Sequence, residues 1–84
     1  MLAREGGPFG ITANCVLPGL IATEHVLSMR EDVDDFFGVV IAGQRIRCRG
    51  DPDDVADAVA YLGSESSEFV TGQSLSVGGG DRFL

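Results

Sequence analysis

The sequence contains no lysine and no tryptophan, a single histidine (His25), a single tyrosine (Tyr61) and only two cysteines, Cys15 and Cys48. Each scarcity closes off a chemistry. Without lysine there is no phosphate-cradling loop of the G-x-x-x-x-G-K-[ST] type, no Schiff-base amine and no tyrosine activated by a neighbouring ammonium group. The position four residues beyond Tyr61 is Glu65, so the phenol has no cationic neighbour at helical spacing to prepare it for acid-base work. One histidine with no nucleophile motif nearby does not make a Ser-His-Asp or Cys-His arrangement. Two distant cysteines and that histidine do not make a metal-ligand set of recognisable spacing. Neither C-x-x-C spacing nor a secretory signal is present, so both cysteines read as reduced thiols of a cytoplasmic protein. Cys48, between Arg47 and Arg49, is open to two readings, a reactive thiolate or a passive thiol.

The six basic residues are all arginine and face thirteen acidic ones, for a net charge of −7. Such a surface repels phosphate backbones and anionic headgroups, which argues against nucleic-acid and membrane partners. The longest mostly apolar stretch, residues 11–22, is interrupted by Thr12, Asn14 and Pro18-Gly19 and is too short to span a bilayer. A chain of 84 residues with 44% hydrophobic side chains is globular but limited to one domain, and it buries only roughly 60–65% of its unfolded surface. A large enzyme is not complete within it.

Met1 to Glu5 reads as the last turn of a helix with nothing before it to start one, stopped by Gly6-Gly7-Pro8. Residues 11–17 (Ile11 to Leu17) carry apolar side chains on both alternating faces, as a parallel strand covered on both sides does. Residues 24–43 repeat apolar positions at helical spacing and divide into two short helices, with Asp32 as N-cap of the second and Asp34 and Asp35 in its first turn. The best-marked helix has Asp51 as N-cap, Pro52 at its first position, Asp53 and Asp54 in its first turn and Gly63 beyond its end. Its sheet-facing stripe is expected at Val55, Val59 and Leu62, flanked by Ala56 and Ala60, with Asp53 and Asp57 toward water. Residues 64–69 are turn-like, and residues 73–77 (Gln73 to Val77) alternate as a strand does before Gly78-Gly79-Gly80. The predicted fold is α/β, with two parallel strands joined by a right-handed helical crossover. No helix follows the glycine triplet to supply amides for a phosphate, so close backbone packing or a chain turn is its expected use.

One stretch keeps a functional reading. Pro18-Gly19-Leu20-Ile21-Ala22-Thr23 directly follows the carboxyl end of a parallel strand, where ligands of open α/β sheets bind. Proline and glycine bare the backbone there, leaving Ile21 N–H and C=O and the Thr23 hydroxyl to hold a planar amide. The same residues equally suit an ordinary strand-to-helix turn with Thr23 as N-cap.

Five stretches in order, Leu2-Ala3-Arg4-Glu5, Gly10-Ile11-Thr12-Ala13-Asn14, Pro18 to Thr23, Gly50-Asp51-Pro52-Asp53-Asp54-Val55-Ala56, and Phe69-Val70-Thr71-Gly72-Gln73 running into Val77-Gly78-Gly79, resemble the C-terminal third of the short-chain dehydrogenase/reductase family. The resemblance covers essentially the whole chain and is loosest over residues 24–43. It implies the C-terminal part of a doubly wound, Rossmann-type parallel sheet over residues 1–84, with residues 24–44 as a substrate lid. It further implies that Pro18, Gly19, Ile21 and Thr23 hold the nicotinamide end of NAD or NADP. Val26, Leu27, Met29, Phe36 and Phe37 would line or support an apolar pocket for a small alcohol or carbonyl substrate. The helix at 52–62 and the strand at 73–77 would contribute to a homo-oligomer interface.

The departures are informative. The family's glycine-rich loop, catalytic serine and Tyr-x-x-x-Lys pair have no counterpart here, so no catalytic residue is assigned. The residues that read the ribose 2′ position belong to the same missing half. The arginine usual two positions before the glycine matching Gly50 is Cys48 here, leaving Arg47 or Arg49 to replace it. The expectation is a fragment of an NAD(P)-dependent oxidoreductase, inactive alone. The alternative is a non-enzymatic interaction module that docks through the unpaired edge of its first strand.

Overall fold

The computed structural model describes residues 2–81. The chain begins with a short helix α1 (Leu2–Gly6) and a 3₁₀ turn (Gly7–Phe9), followed by strand β1 (Cys15–Pro18). Helices α2 (Glu24–Ser28), α3 (Val33–Ala42) and α4 (Pro52–Leu62) come next, then a 3₁₀ turn (Glu65–Ser67) and strand β2 (Ser74–Val77). The strands pair in parallel, with Cys15 opposite Ser74 and Pro18 opposite Val77, so the carboxyl ends of both lie together. Among the described residues, α4 is the helix that packs on both strands.

The predicted strand at 11–17 is shorter at its start. Residues 11–14 are committed elsewhere: Ile11 N–H closes the 3₁₀ turn on Gly6 C=O (3.1 Å), and Ala13 C=O accepts from Gly72 N–H (2.8 Å). Ala13 N–H donates to Thr71 Oγ1 (3.0 Å), and Asn14 donates from Nδ2 to Val70 C=O (3.0 Å) while its Oδ1 accepts from Gln73 N–H (3.0 Å). Asn14 is thus a staple between the entry to β1 and the entry to β2. The second strand loses Gln73 for the same reason, since its N–H is spent on that side chain. β1 is also not fully covered on either side: Val16 and Leu17, on opposite faces, are half-buried, and Cys15 and Pro18 are exposed.

α4 has the predicted bounds. The Asp51 N–H donates to Asp54 Oδ2 (2.8 Å), and Asp54 N–H donates to Asp51 C=O (2.9 Å), which organises its first turn. Its buried stripe differs from the expected one. Val55, Ala58 and Leu62 face inward, whereas Val59 is 54% exposed and Ala56 and Ala60 are exposed with it. A helix apolar over more than half its circumference cannot bury all of it on a two-stranded sheet, and the small Ala58 allows the closer approach. Asp53 and Asp57 face water as expected.

The division of residues 24–43 into two helices holds. Asp32 sits at the N-cap of α3, but its carboxylate pairs with Arg30 (2.8 and 3.0 Å) and makes no side-chain cap bond. That hydrogen bond holds the Asp32 carboxyl below its usual range and raises the Arg30 guanidinium. After α3, the buried Gln44 folds its amide inward, and Nε2 donates to Ile46 C=O and Cys48 C=O, both at 2.9 Å. The same loop hangs on β2's exit: Arg45 and Ile46 N–H both donate to Gly79 C=O at 2.8 Å. Gly79 and Gly80 have φ of 64° and 78°, the left-handed region that favours glycine. The triplet therefore serves close backbone packing, as expected.

Hydrophobic burial is thin. Ala3 and Phe37 are the buried hydrophobic side chains among the described residues. The radius of gyration is 15.6 Å, against roughly 12 Å for a compact domain of this length. Two outcomes follow. Asn14→Ala leaves Val70 C=O and Gln73 N–H unpaired and should lower stability by about 1–3 kcal/mol in urea unfolding. Gln44→Glu places a carboxylate against two carbonyls and should cost at least about 2 kcal/mol in the same measurement, while Asp57→Asn, on the water-facing side of α4, should stay within about 0.5 kcal/mol of the starting protein.

Candidate functional site

The turn after β1 is built by contacts that leave no room for larger residues. Gly19 N–H donates to Val77 C=O (2.9 Å), continuing the ladder one step past Pro18. A Cβ on Gly19 would lie 2.8 Å from Gly78 Cα and 3.0 Å from Asp81 Oδ2, so the exits of the two strands touch backbone to backbone. Two residues on, Ile21 forms a parallel bridge with Gly50, in which Ala22 N–H donates to Gly50 C=O (2.8 Å). Gly50 too is confined, since a Cβ there would meet Ile21 Cδ1 at 2.7 Å. The turn is thus anchored on both sides before α2 begins.

Not every group expected to be free is free. Ile21 C=O accepts from Thr23 N–H (2.9 Å), and Thr23 Oγ1 accepts from Val26 N–H (3.1 Å), so Thr23 is the N-cap of α2. Capping and ligand binding are compatible, however. The Thr23 hydroxyl keeps its proton to donate, and Ile21 C=O keeps a second lone pair. Ile21 N–H has no hydrogen-bond partner among the described residues. A donor, an acceptor and a second donor therefore stand together at the carboxyl end of β1, a set complementary to a carboxamide.

Pro18, Gly19, Ile21 and Thr23 all line one cleft of about 430 Å³, whose wall is completed by Leu20, Val26 and two residues of α4, Pro52 and Val55. The predicted lid residues separate. Val26 reaches this cleft, while Leu27 and Met29 are exposed on and after α2. Phe36 and Phe37 lie away from the cleft, their rings edge to face at 6.4 Å, and Phe37 is 1% exposed. They support α3 and do not line the cleft. A second cleft of about 440 Å³ opens between the turn, the loop from Gln44 to Gly50 and the glycine triplet, sharing Leu20 and Ile21 with the first.

Several residues of this region escaped the sequence reading. Pro52 and Val55 were legible only as parts of a helix, and nothing in their spacing says that the helix start closes a cleft. Gln44 is a lone amide between an apolar helix end and an arginine-rich loop, a pattern with no specific meaning until its two carbonyl partners are known. Of the two arginines able to replace the one absent at Cys48, Arg49 makes the ion pair, with Asp34. Cys15 and Cys48 are free and exposed, and His25 is exposed on α2. Among the described residues no group of three or more His, Cys, Asp or Glu side chains is placed to hold a metal ion, and no helix is long and apolar enough to cross a membrane.

Comparison with known proteins places this geometry. A family model described as enoyl-(acyl carrier protein) reductase matches residues 1–81. The chain is similar to the (3R)-3-hydroxyacyl-CoA dehydrogenase of Mus musculus, with 49% identity over 93% of this chain and 29% of the relative. In structure it is similar to a 3-oxoacyl-[acyl-carrier protein] reductase from Brucella melitensis, at a TM-score of 0.84 and 37% identity over 94% of this chain and 28% of the other. It is also similar to a 4-hydroxyisoleucine dehydrogenase complexed with NADH, at a TM-score of 0.77 and 28% identity over 94% of this chain and 30% of the other. The chain therefore spans about three tenths of the length of these proteins, in keeping with a partial Rossmann-type α/β sheet. By sequence and by fold, the chain belongs to the short-chain dehydrogenase/reductase family.

Proposed function

We propose that this chain is the nicotinamide-side wall of an NAD(P)-dependent oxidoreductase that moves hydride between the cofactor and an alcohol or carbonyl carbon. The observation that carries the reading is the unpartnered Ile21 N–H beside Ile21 C=O and the Thr23 hydroxyl, in a largely apolar cleft. A carboxamide oxygen takes the Ile21 N–H, and its amino group donates to Ile21 C=O. Thr23 O–H supplies a further donor without giving up its cap on α2. Gly19, pressed against Gly78, fixes the course of the turn, and Pro18, Val26 and Val55 exclude water from the ring. When bound, the nicotinamide supplies or accepts the hydride; the residues of this chain orient it and shield it.

Residues 24–44 form the lid of the proposed enzyme, with Val26 at the cleft and Phe36 and Phe37 as its support. Two of the relatives, the (3R)-3-hydroxyacyl-CoA dehydrogenase and the 3-oxoacyl-[acyl-carrier protein] reductase, favour a 3-oxygenated acyl thioester as substrate class over the amino acid that the third relative's name gives. With no lysine and a single tyrosine exposed on α4, the chain brings no proton donor to the substrate oxygen. It is inactive alone. A homo-oligomer through α4 and β2 accords with the outward Val59, Tyr61, Phe69 and Leu75, and free thiols accord with a cytoplasmic location. A second reading, a non-enzymatic module docking through the open edge of β1, is favoured by the pairing of that strand with β2 alone among the described residues.

The coding region upstream of Met1 tests the first reading: an in-frame glycine-rich loop and Tyr-x-x-x-Lys pair are expected, and their absence overturns it. In the protein so extended, Thr23→Val should raise the cofactor KM about tenfold or more, since it loses both the bond to the carboxamide and the cap on Val26 N–H, and Thr23→Ser should stay near the starting value. The 84-residue chain should turn over neither NADH nor NADPH in an absorbance assay. Size-exclusion chromatography addresses the docking reading, since a strictly monomeric chain counts against it.

A further inference from the structure

Helix α3 connects to the rest of the molecule through residues 43–50, and one side chain there gathers contacts from the helix. The Arg49 guanidinium carbon lies 4.4 Å from the centroid of the Phe37 ring, and its Nη2 donates to Asp34 Oδ1. Asp34 and Phe37 are three residues apart on α3 and so share one face of it. Phe37 is the most deeply buried hydrophobic side chain described, whereas the Asp34 side chain is 87% exposed and that of Arg49 37%. The stack over Phe37 therefore does most of the holding, because an exposed ion pair contributes little by itself. Asp34 fixes the plane of the guanidinium. The flanking Arg47 makes no ion pair among the described residues.

The main chain of the same residue runs the other way. Arg49 is followed directly by Gly50, which bridges Ile21 and accepts the Ala22 N–H at 2.8 Å. The loop between cannot slacken freely, since Gln44 ties Ile46 and Cys48 while Gly79 holds Arg45 and Ile46. One residue thus carries α3 on its side chain and the nicotinamide turn on its backbone.

We infer that Arg49 is a positioning residue that couples the seat of the lid to the orientation of the Ile21 amide. It rests on the reading of that turn as the carboxamide site. Docking of α3 onto Arg49 steadies Gly50, and Gly50 steadies Ile21 and Ala22. The seat of the lid and the grip on the cofactor then act on each other through one shared residue, by the same factor in both directions.

Amide hydrogen exchange of the 84-residue chain, followed by NMR without cofactor, tests the coupling. Arg49→Gln should accelerate exchange roughly fivefold along α3 and at Ala22, an effect of the size expected for a cation–π contact, and Asp34→Asn should accelerate it less, because the exposed ion pair contributes little. The Cys15 and Gly72 amides, bonded to Gln73 and Ala13, should keep their original rates. Combining the two substitutions should accelerate Ala22 no further than Arg49→Gln alone, and Arg49→Lys, which keeps charge but loses the planar stack, should fall between that variant and the starting protein. An Ala22 rate unchanged by Arg49→Gln overturns the inference. So does an additive double variant, or an acceleration that reaches Cys15 and Gly72 equally. Because no cofactor is present, a failed carboxamide reading leaves this outcome standing, and a failed coupling leaves the Thr23 experiment untouched.

Discussion

Parallel pairing of β1 with β2 brings Pro18 and Val77 side by side at one end of the sheet, and both strands must leave it there. Two exits at one place compete for the same volume. They fit because Gly19 and Gly78 meet with no side chain between them and because Asp81 folds back beneath both. The turn from Gly19 to Thr23 takes its shape from that contact, and the bridge from Ile21 to Gly50 adds a third strand-like layer beside it. The cleft, the cap of α2 and the loop after α3 are all hung on this crowded end. Elsewhere the molecule is loose: it extends 49 × 24 × 22 Å, with most large apolar side chains partly in water.

The parts of the fold governed by local chemistry were legible in the sequence. α4 has its predicted bounds because Asp51, Pro52 and Gly63 act within a turn of the helix they delimit. The break between α2 and α3 was legible from Asp32 in the same way. What was not legible depends on partners distant in sequence. Residues 11–14 alternate as a strand does, yet their hydrogen bonds go to Gly6, Val70, Thr71 and Gly72, and no periodicity records that. The inward face of α4 was misjudged because it offers more apolar surface than the sheet can cover. For the site, residue types and position at the strand end pointed to the turn, but not to the engagement of Ile21 C=O by Thr23, nor to the closure of the cleft by Pro52 and Val55.

Exposed large apolar side chains occur along the whole described chain, Leu27, Met29, Val39 and Ile46 among them, with further ones toward each end. Those near the start are Leu2, Phe9 and Ile11; the later ones include Val59, Tyr61, Phe69 and Leu75. The relatives, more than three times as long by the share of each that is matched, have much more chain with which to cover such surface. With so few fully buried side chains, hydrogen bonds such as those of Asn14 and Gln44 carry an unusually large share of the local order.

The link between α2 and α3, residues 29–32, is exposed throughout, and its Arg30, paired with Asp32, reaches no farther than the Phe36 ring of α3. Loop-length changes there disturb no bond that shapes the turn at Ile21. By contrast, the span from Gln44 to Gly50 is measured out by one amide and one carbonyl, so a single inserted or deleted residue would break the fit. Length is therefore free to drift in the first segment, while the second keeps the turn after β1 constant.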